Sequence, residues 1–224
     1  MRVDFNENYF EKIDTEDKAY FLGFIMADGC LSKNTNSLRI KIHDKDKHIL
    51  EEFSKCINFK GKIWSSKILP HICQISISHI KLKNDLNRLG IISNKTNTLE
   101  LPIIRKDLYR HLLRGFFDGD GCIRVKEDSR EGKGGKRGDL RFVCASKTLL
   151  NQINEHFNKE INTNLNKLYG QYDTFKYLGW SGFKDIESIY NYFYENSSYY
   201  LIRKKLIFDE VYNICLSKKR YRKK

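Results

Sequence analysis

Apolar residues change period along the chain, and the changes recur. From Ala19 the sequence is apolar on nearly every side of a helix, through Tyr20, Phe21, Leu22, Phe24, Ile25 and Met26, which marks a helix buried all round. That helix is predicted over Glu16–Ala27, with Thr15 as N-cap and Glu16 and Asp17 at its positive end. Beyond Gly29 the period drops to two. Leu38, Ile40 and Ile42 alternate with Arg39, Lys41 and His43, a strand with one packed and one basic face. Lys33–Asn36 supplies a turn pairing it with Cys30–Ser32. A helix over Lys45–Cys56 turns Ile49, Leu50 and Phe53 inward. Strands follow at Lys62–Ser65 and Ile72–Ser78, then a helix at Lys81–Leu89 and a polar loop from Ser93 to Thr98. On the second of these strands Cys73, Ile75 and Ile77 alternate with Gln74, Ser76 and Ser78.

The order then starts again. Leu108–Gly119 is a second apolar helix, and Ile123 and Val125 alternate with Arg124 and Lys126. Asp128–Asp139 contains four glycines and is expected to be a flexible hairpin tip. A strand at Leu140–Ala145, a helix at Lys147–Asn158, strands at Leu165–Tyr169 and Phe175–Trp180, and helices at Phe183–Tyr194 and Leu201–Leu216 complete the chain, with Lys218–Lys224 as a loose basic tail. Residues repeat as well as elements: Asp28-Gly29-Cys30-Leu31 parallels Asp120-Gly121-Cys122-Ile123. The chain therefore reads as an internal repeat of α+β type, with halves at 1–104 and 105–224. Each half runs helix, hairpin, helix, hairpin, helix.

Charge narrows the partner. With 41 Lys+Arg against 28 Asp+Glu the formal charge is +13, which favours a polyanion, nucleic acid ahead of an anionic membrane surface. No run of about 18 apolar residues exists to span a membrane, and Met1–Glu7 has no apolar signal core. The six cysteines form no Cys-x-x-Cys pair, so they are read as reduced thiols rather than zinc ligands.

The two apolar helices carry the chemistry. Gly23 and Ala27 lie four apart on one face, as do Gly115 and Gly119. Small residues at that spacing let helix backbones approach closely, and an interior Gly costs up to about 1 kcal/mol against Ala, which close packing would offset. Side by side, the helices would bring Asp28 and Asp120 together. Two carboxylates at electronegative helix ends are disfavoured unless a divalent cation binds there, and hard oxygen ligands suit Mg²⁺.

These stretches, Phe21–Gly29 and Leu113–Gly121, resemble the LAGLIDADG motif, and the chain is similar to single-chain, two-motif LAGLIDADG homing endonucleases over about residues 15 to 217. The resemblance implies two pseudo-symmetric αββαββα halves whose antiparallel sheets form a saddle over DNA. It implies a monomer that cuts both strands of a long asymmetric double-stranded site and promotes the mobility of its own gene or intron. A cleavage-inactive regulator or an RNA maturase of the same fold is the alternative. Mg²⁺, replaceable by other divalent cations, would be held by Asp28 and Asp120 with the backbone carbonyls of Ala27 and Gly119. Lys95 and Lys204 would assist catalysis, with Arg203 or Lys205 as alternatives to Lys204. Met26 and Asp118 occupy the earlier acidic position of the motif, where Asp118 is expected to be structural or close to DNA. Arg114 replaces a small or apolar residue and is expected at the edge of the helix pair. The strand residues expected to face DNA are Arg39, Lys41, His43, Gln74, Ser76, Ser78, Arg124, Lys126, Arg141 and Lys176, since Arg and Lys read guanine and Gln reads adenine in the major groove. Such an enzyme works inside the cell, wherever its target DNA lies: cytoplasm and nucleoid, or an organelle.

Overall fold

A computed structural model describes residues 3–65, 70–93, 97–128, 134–172 and 175–221. The chain is α+β, with two four-stranded antiparallel sheets and seven α-helices among the described residues. Its contacts divide it into two units. One comprises residues 1–95, 101–119 and 198–201; the other comprises 96–100, 120–197 and 202–224.

In the first unit the chain runs α1 (Glu16–Asp28), β1 (Gly29–Leu31), β2 (Ser37–His43), α2 (Lys47–Cys56), β3 (Trp64–Ser65), β4 (Ile72–Ser78) and α3 (Ile80–Arg88). The sheet order is β1-β2-β4-β3. The predicted alternation is realised: Leu38, Ile40 and Ile42 on β2 and Cys73, Ile75 and Ile77 on β4 are all buried, paired Leu38 with Ile77, Ile40 with Ile75 and Ile42 with Cys73. Phe21, Phe53, Leu82 and Leu86 are buried with them. α1 passes into β1 without a loop, and Gly29 makes the turn in an extended conformation. A Cβ there would lie 2.5 Å from the Ile25 carbonyl oxygen, so the turn admits no side chain unless the backbone moves. Thr15 occupies the N-cap position but makes no side-chain cap bond. The first unit also receives α4 (Tyr109–Asp120) as far as Gly119.

The second unit contains β5 (Gly121–Glu127), β6 (Lys136–Cys144), α5 (Lys147–Ile161), β7 (Tyr169–Tyr172), β8 (Phe175–Trp180), α6 (Phe183–Tyr194) and α7 (Ile202–Tyr221), with sheet order β5-β6-β8-β7. Phe142, Phe157, Trp180 and Phe193 form its aromatic core. α7 packs on β5 and β6.

Three expectations change here. β6 begins at Lys136, inside the expected hairpin tip, and pairs with β5 as far as Glu127. Gly138 serves this strand because a Cβ would meet Val211 of α7 at 2.3 Å. The strand expected from Leu165 starts only at Tyr169. Before it, side chains replace a strand ladder: Asp185 accepts from the Asn164 amide, and Asn154 bonds both the amide and the carbonyl of Asn166. Finally, the basic tail is not loose from its start, because α7 continues to Tyr221. No Gly or Pro interrupts the sequence after Leu201.

Candidate metal centre and nucleic-acid interface

α1 and α4 meet backbone to backbone. A Cβ placed on Gly23 would lie 1.9 Å from the Leu112 carbonyl oxygen, and one on Gly115 would lie 1.9 Å from the Tyr20 carbonyl oxygen. One turn on, a Cβ on Gly119 would lie 2.3 Å from Ala27 Cβ and 3.2 Å from Asp28 Oδ2. The two small-residue faces read in the sequence are thus the faces in contact, and the contact reaches the helix ends. Asp28 is the last residue of α1 and Asp120 the last residue of α4, and neither helix has a basic residue in its final turn. Each carboxylate therefore adds negative charge at a negative helix end.

This donor chemistry fits a hard cation. Among the described residues no cluster of three or more His, Cys, Asp and Glu side chains could hold a metal. In the second unit, Lys204 on α7 is only 5% exposed, and its Nζ donates to the Gly121 carbonyl at 2.6 Å, one residue from Asp120. Lys205 is engaged elsewhere, bonding Tyr190 Oη at 3.2 Å and Asp209 Oδ1 at 2.6 Å. Burial lowers its pKa, but these bonds outweigh that and raise it. Arg203 is exposed. Lys95 lies outside the described residues.

The two unusual motif residues are both buried. Arg114 is not at an edge but fully enclosed. Its Nη2 meets Glu16 Oε1 at 2.7 Å and its Nε donates to the Tyr199 carbonyl at 2.7 Å. Glu16 in turn accepts from the Ser198 amide at 2.7 Å. Asp118 accepts from Tyr20 Oη at 2.7 Å and from the Leu201 amide at 2.8 Å, so it fastens the segment that leads into α7. Beside Arg114, burial and then the Arg114 charge push the His111 pKa down to about 4, against the pull of Glu16.

The basic residues collect on one face of each sheet. On the first, Arg39, Lys41 and His43 of β2 share the open face with Gln74, Ser76 and Ser78 of β4, in register Arg39 with Ser76 and Lys41 with Gln74. His43 Nδ1 lies 2.9 Å from Asp44 Oδ1, and the His43 and His71 rings stack. Cys30 pairs with Arg39 and Trp64 with Gln74 on the same face, with Trp64 60% exposed. On the second sheet Arg124, Lys126 and Arg141 share the open face. Lys176 does not join them: it pairs with Cys144 and has the same parity as buried Leu178 and Trp180. Tyr177, under the Arg141 guanidinium at 4.4 Å, has the parity expected of Lys176.

The sequence reading also missed Asp139, which lies on this open face but is only 8% exposed. Its carboxylate lies 2.7 Å from Arg124 Nε, 2.8 Å from Lys126 Nζ and 3.1 Å from Arg141 Nε. Burial raises the Asp139 pKa, but the hydrogen bonds from Lys126, Arg124 and Arg141 outweigh it and hold the carboxyl below its ordinary value. A charged residue inside a glycine- and lysine-rich stretch gave no sign of this.

Comparison with known proteins agrees with this geometry. Residues 113–214 match the sequence model of the LAGLIDADG endonuclease family. No curated protein matches the chain in sequence. Among solved structures, the chain is similar to the LAGLIDADG meganuclease I-AabMI bound to uncleaved DNA, with 17% identity, TM-score 0.62, and coverage of 89% of this chain and 91% of that one. The homing endonuclease I-LtrWI bound to target DNA gives 13% identity, TM-score 0.63, and coverage of 95% and 92%. The meganuclease I-CpaMI bound to uncleaved DNA gives 14%, 0.65, and 92% and 93%. The chain thus matches the LAGLIDADG endonuclease family in sequence over residues 113–214, which hold its second motif, and shares the fold of these meganucleases along nearly its whole length.

Proposed function

We propose that this chain is a site-specific DNA endonuclease that hydrolyses one phosphodiester in each strand of a long duplex site with the help of Mg²⁺. The observation that carries the reading is the backbone contact of α1 and α4 through Gly23, Gly115 and Gly119, on two helices that each end in an aspartate. Asp28 and Asp120, with the carbonyls of Ala27 and Gly119, supply hard oxygen ligands. When bound there, Mg²⁺ lowers the pKa of a water and stabilises the leaving oxygen. Lys204, and Lys95 in the first half, act as cations beside the reacting phosphates, and Lys204 is held for this by the Gly121 carbonyl.

The open sheet faces supply the DNA contacts, a reading supported by their basic side chains and by the DNA-bound state of the structures that the chain resembles. Arg39, Lys41, His43, Gln74, Ser76 and Ser78 on one sheet and Arg124, Lys126 and Arg141 on the other reach base edges and phosphates. Because the two faces carry different side chains, the target is asymmetric, and because one chain carries both motifs, it acts as a monomer. Cutting an allele that lacks the insertion would promote the mobility of its own gene or intron in whichever compartment holds that DNA. The test is to incubate the protein and Mg²⁺ with a plasmid library carrying randomised inserts and to sequence the cut ends. Double-strand cuts at one asymmetric consensus are expected. Failure to cut any sequence, together with tight binding of a structured intron RNA, would overturn the reading in favour of a maturase.

A further inference from the structure

Asp139 is an anion in the middle of a cationic face. It pairs directly with Arg124 across the β5–β6 ladder, Arg141 lies two residues along its own strand, and Lys126 lies two residues along the partner strand. The carboxylate is 11% exposed while the side chains of Arg124, Lys126 and Arg141 are 46%, 31% and 26% exposed. The acid thus lies beneath three cations that remain open to a ligand. Both arginines bond it through Nε, one of the five donors of each guanidinium. The Nη groups, which pair with the O6 and N7 of guanine, are not used in these bonds. The Arg141 guanidinium also lies over the Tyr177 ring, 4.4 Å from its centre. A long side chain already held in place loses less freedom on binding than a loose one, and a held fork accepts fewer wrong bases.

We propose that Asp139 is a positioning residue for sequence specificity, holding Arg124 and Arg141 as paired guanine readers on the open face of the second sheet. The proposal rests on the reading of that face as a DNA interface. It assigns Asp139 a cost as well as a gain. The carboxylate cancels one positive charge and so weakens sequence-independent attraction to phosphates, while the fixed forks sharpen base choice.

The experiment uses the full chain and synthetic duplexes with randomised positions, selected for binding in the presence of a chelator. Arg124→Ala and Arg141→Ala first map the positions that these two residues read. Asp139→Asn is expected to lower the guanine preference at those positions by roughly tenfold and to leave the rest of the motif intact. Its binding to mixed-sequence duplex should strengthen, and the slope of log affinity against log salt should steepen by about one. Asp139→Glu, which keeps the charge and moves it, should retain the wild-type slope and still lose preference. A purely structural acid predicts weaker binding to every sequence at unchanged slope, and that result overturns the proposal. So does an unaltered preference in both variants. If Asp139→Asn shows no cooperative melting, the preference of Asp139→Glu alone decides between these outcomes. A wild-type protein that binds duplex and enriches a motif, with variants identical to it, removes only this proposal. A wild-type protein that binds no duplex removes the DNA interface itself.

Discussion

Replacing Gly115 by Ala probes the joint on which the candidate site depends. The added Cβ would lie 1.9 Å from the Tyr20 carbonyl oxygen, where side-chain Cβ atoms stay beyond 3.0 Å. The helices must therefore part by at least about 1.1 Å, the difference between the two. The obstacle is backbone and cannot rotate away, and Tyr20, Phe24, Leu112 and Phe116 around it are all buried. That puts the strain near the upper end of overpacking, about 3 kcal/mol. Better helix propensity returns about 1 kcal/mol. The net loss of about 2 kcal/mol corresponds to a Tm lower by roughly 4–8 °C for a chain of this size. A displacement of about 1 Å at the helix ends should also slow cleavage by roughly 100-fold. Differential scanning calorimetry and single-turnover cleavage measure the two effects. Gly134→Ala is the control, since a Cβ there meets nothing within 4 Å. If Gly115→Ala melts and cuts like the control, α1 and α4 are not in the contact described.

Two other residues give separable outcomes. Lys204→Met removes the ammonium that bonds the Gly121 carbonyl and should slow single-turnover cleavage by about 100-fold with duplex binding little changed. Lys205→Met, on a side chain engaged with Tyr190 and Asp209, should keep the cleavage rate. Equal losses in the two would remove the distinction drawn between them. His111 titrates near pH 4 in the native chain against an ordinary value of 6.5. Between those values the unfolded chain holds more protons, so stability rises with pH and falls on acidification from about 6.5 to 4. The Tm of the wild type should fall more steeply across that window than that of His111→Gln, and parallel curves would refute the assignment.

Much of this was legible because packing imposes periodicity. On β2, and on β4 from Cys73 onward, an apolar residue alternates with a polar one, so the open face could be named residue by residue. The Gly and Ala positions on α1 and α4 were legible because nothing but close approach rewards them in a buried helix. Where side chains on both faces are bulky, the signal fails. β8 reads Phe175-Lys176-Tyr177-Leu178-Gly179-Trp180, with apolar bodies at both parities, and Lys176 was put on the wrong side. Arg114 looked like an edge residue because its partners, Glu16 and Tyr199, are 98 and 85 residues away. Asp139 was invisible for a related reason: two of its three partners, Arg124 and Lys126, come from another strand. Trp64 stands in a strand of two residues, too short to show alternation.

The most direct test of the central claim is Mg²⁺-dependent cleavage of the selected target by Asp28→Asn and by Asp120→Asn, with binding measured on the same duplex. Each substitution keeps the side chain's size and removes its charge. Each should abolish double-strand cleavage while the target is still bound. Undiminished cutting by either variant would contradict a metal centre built on the paired helix ends.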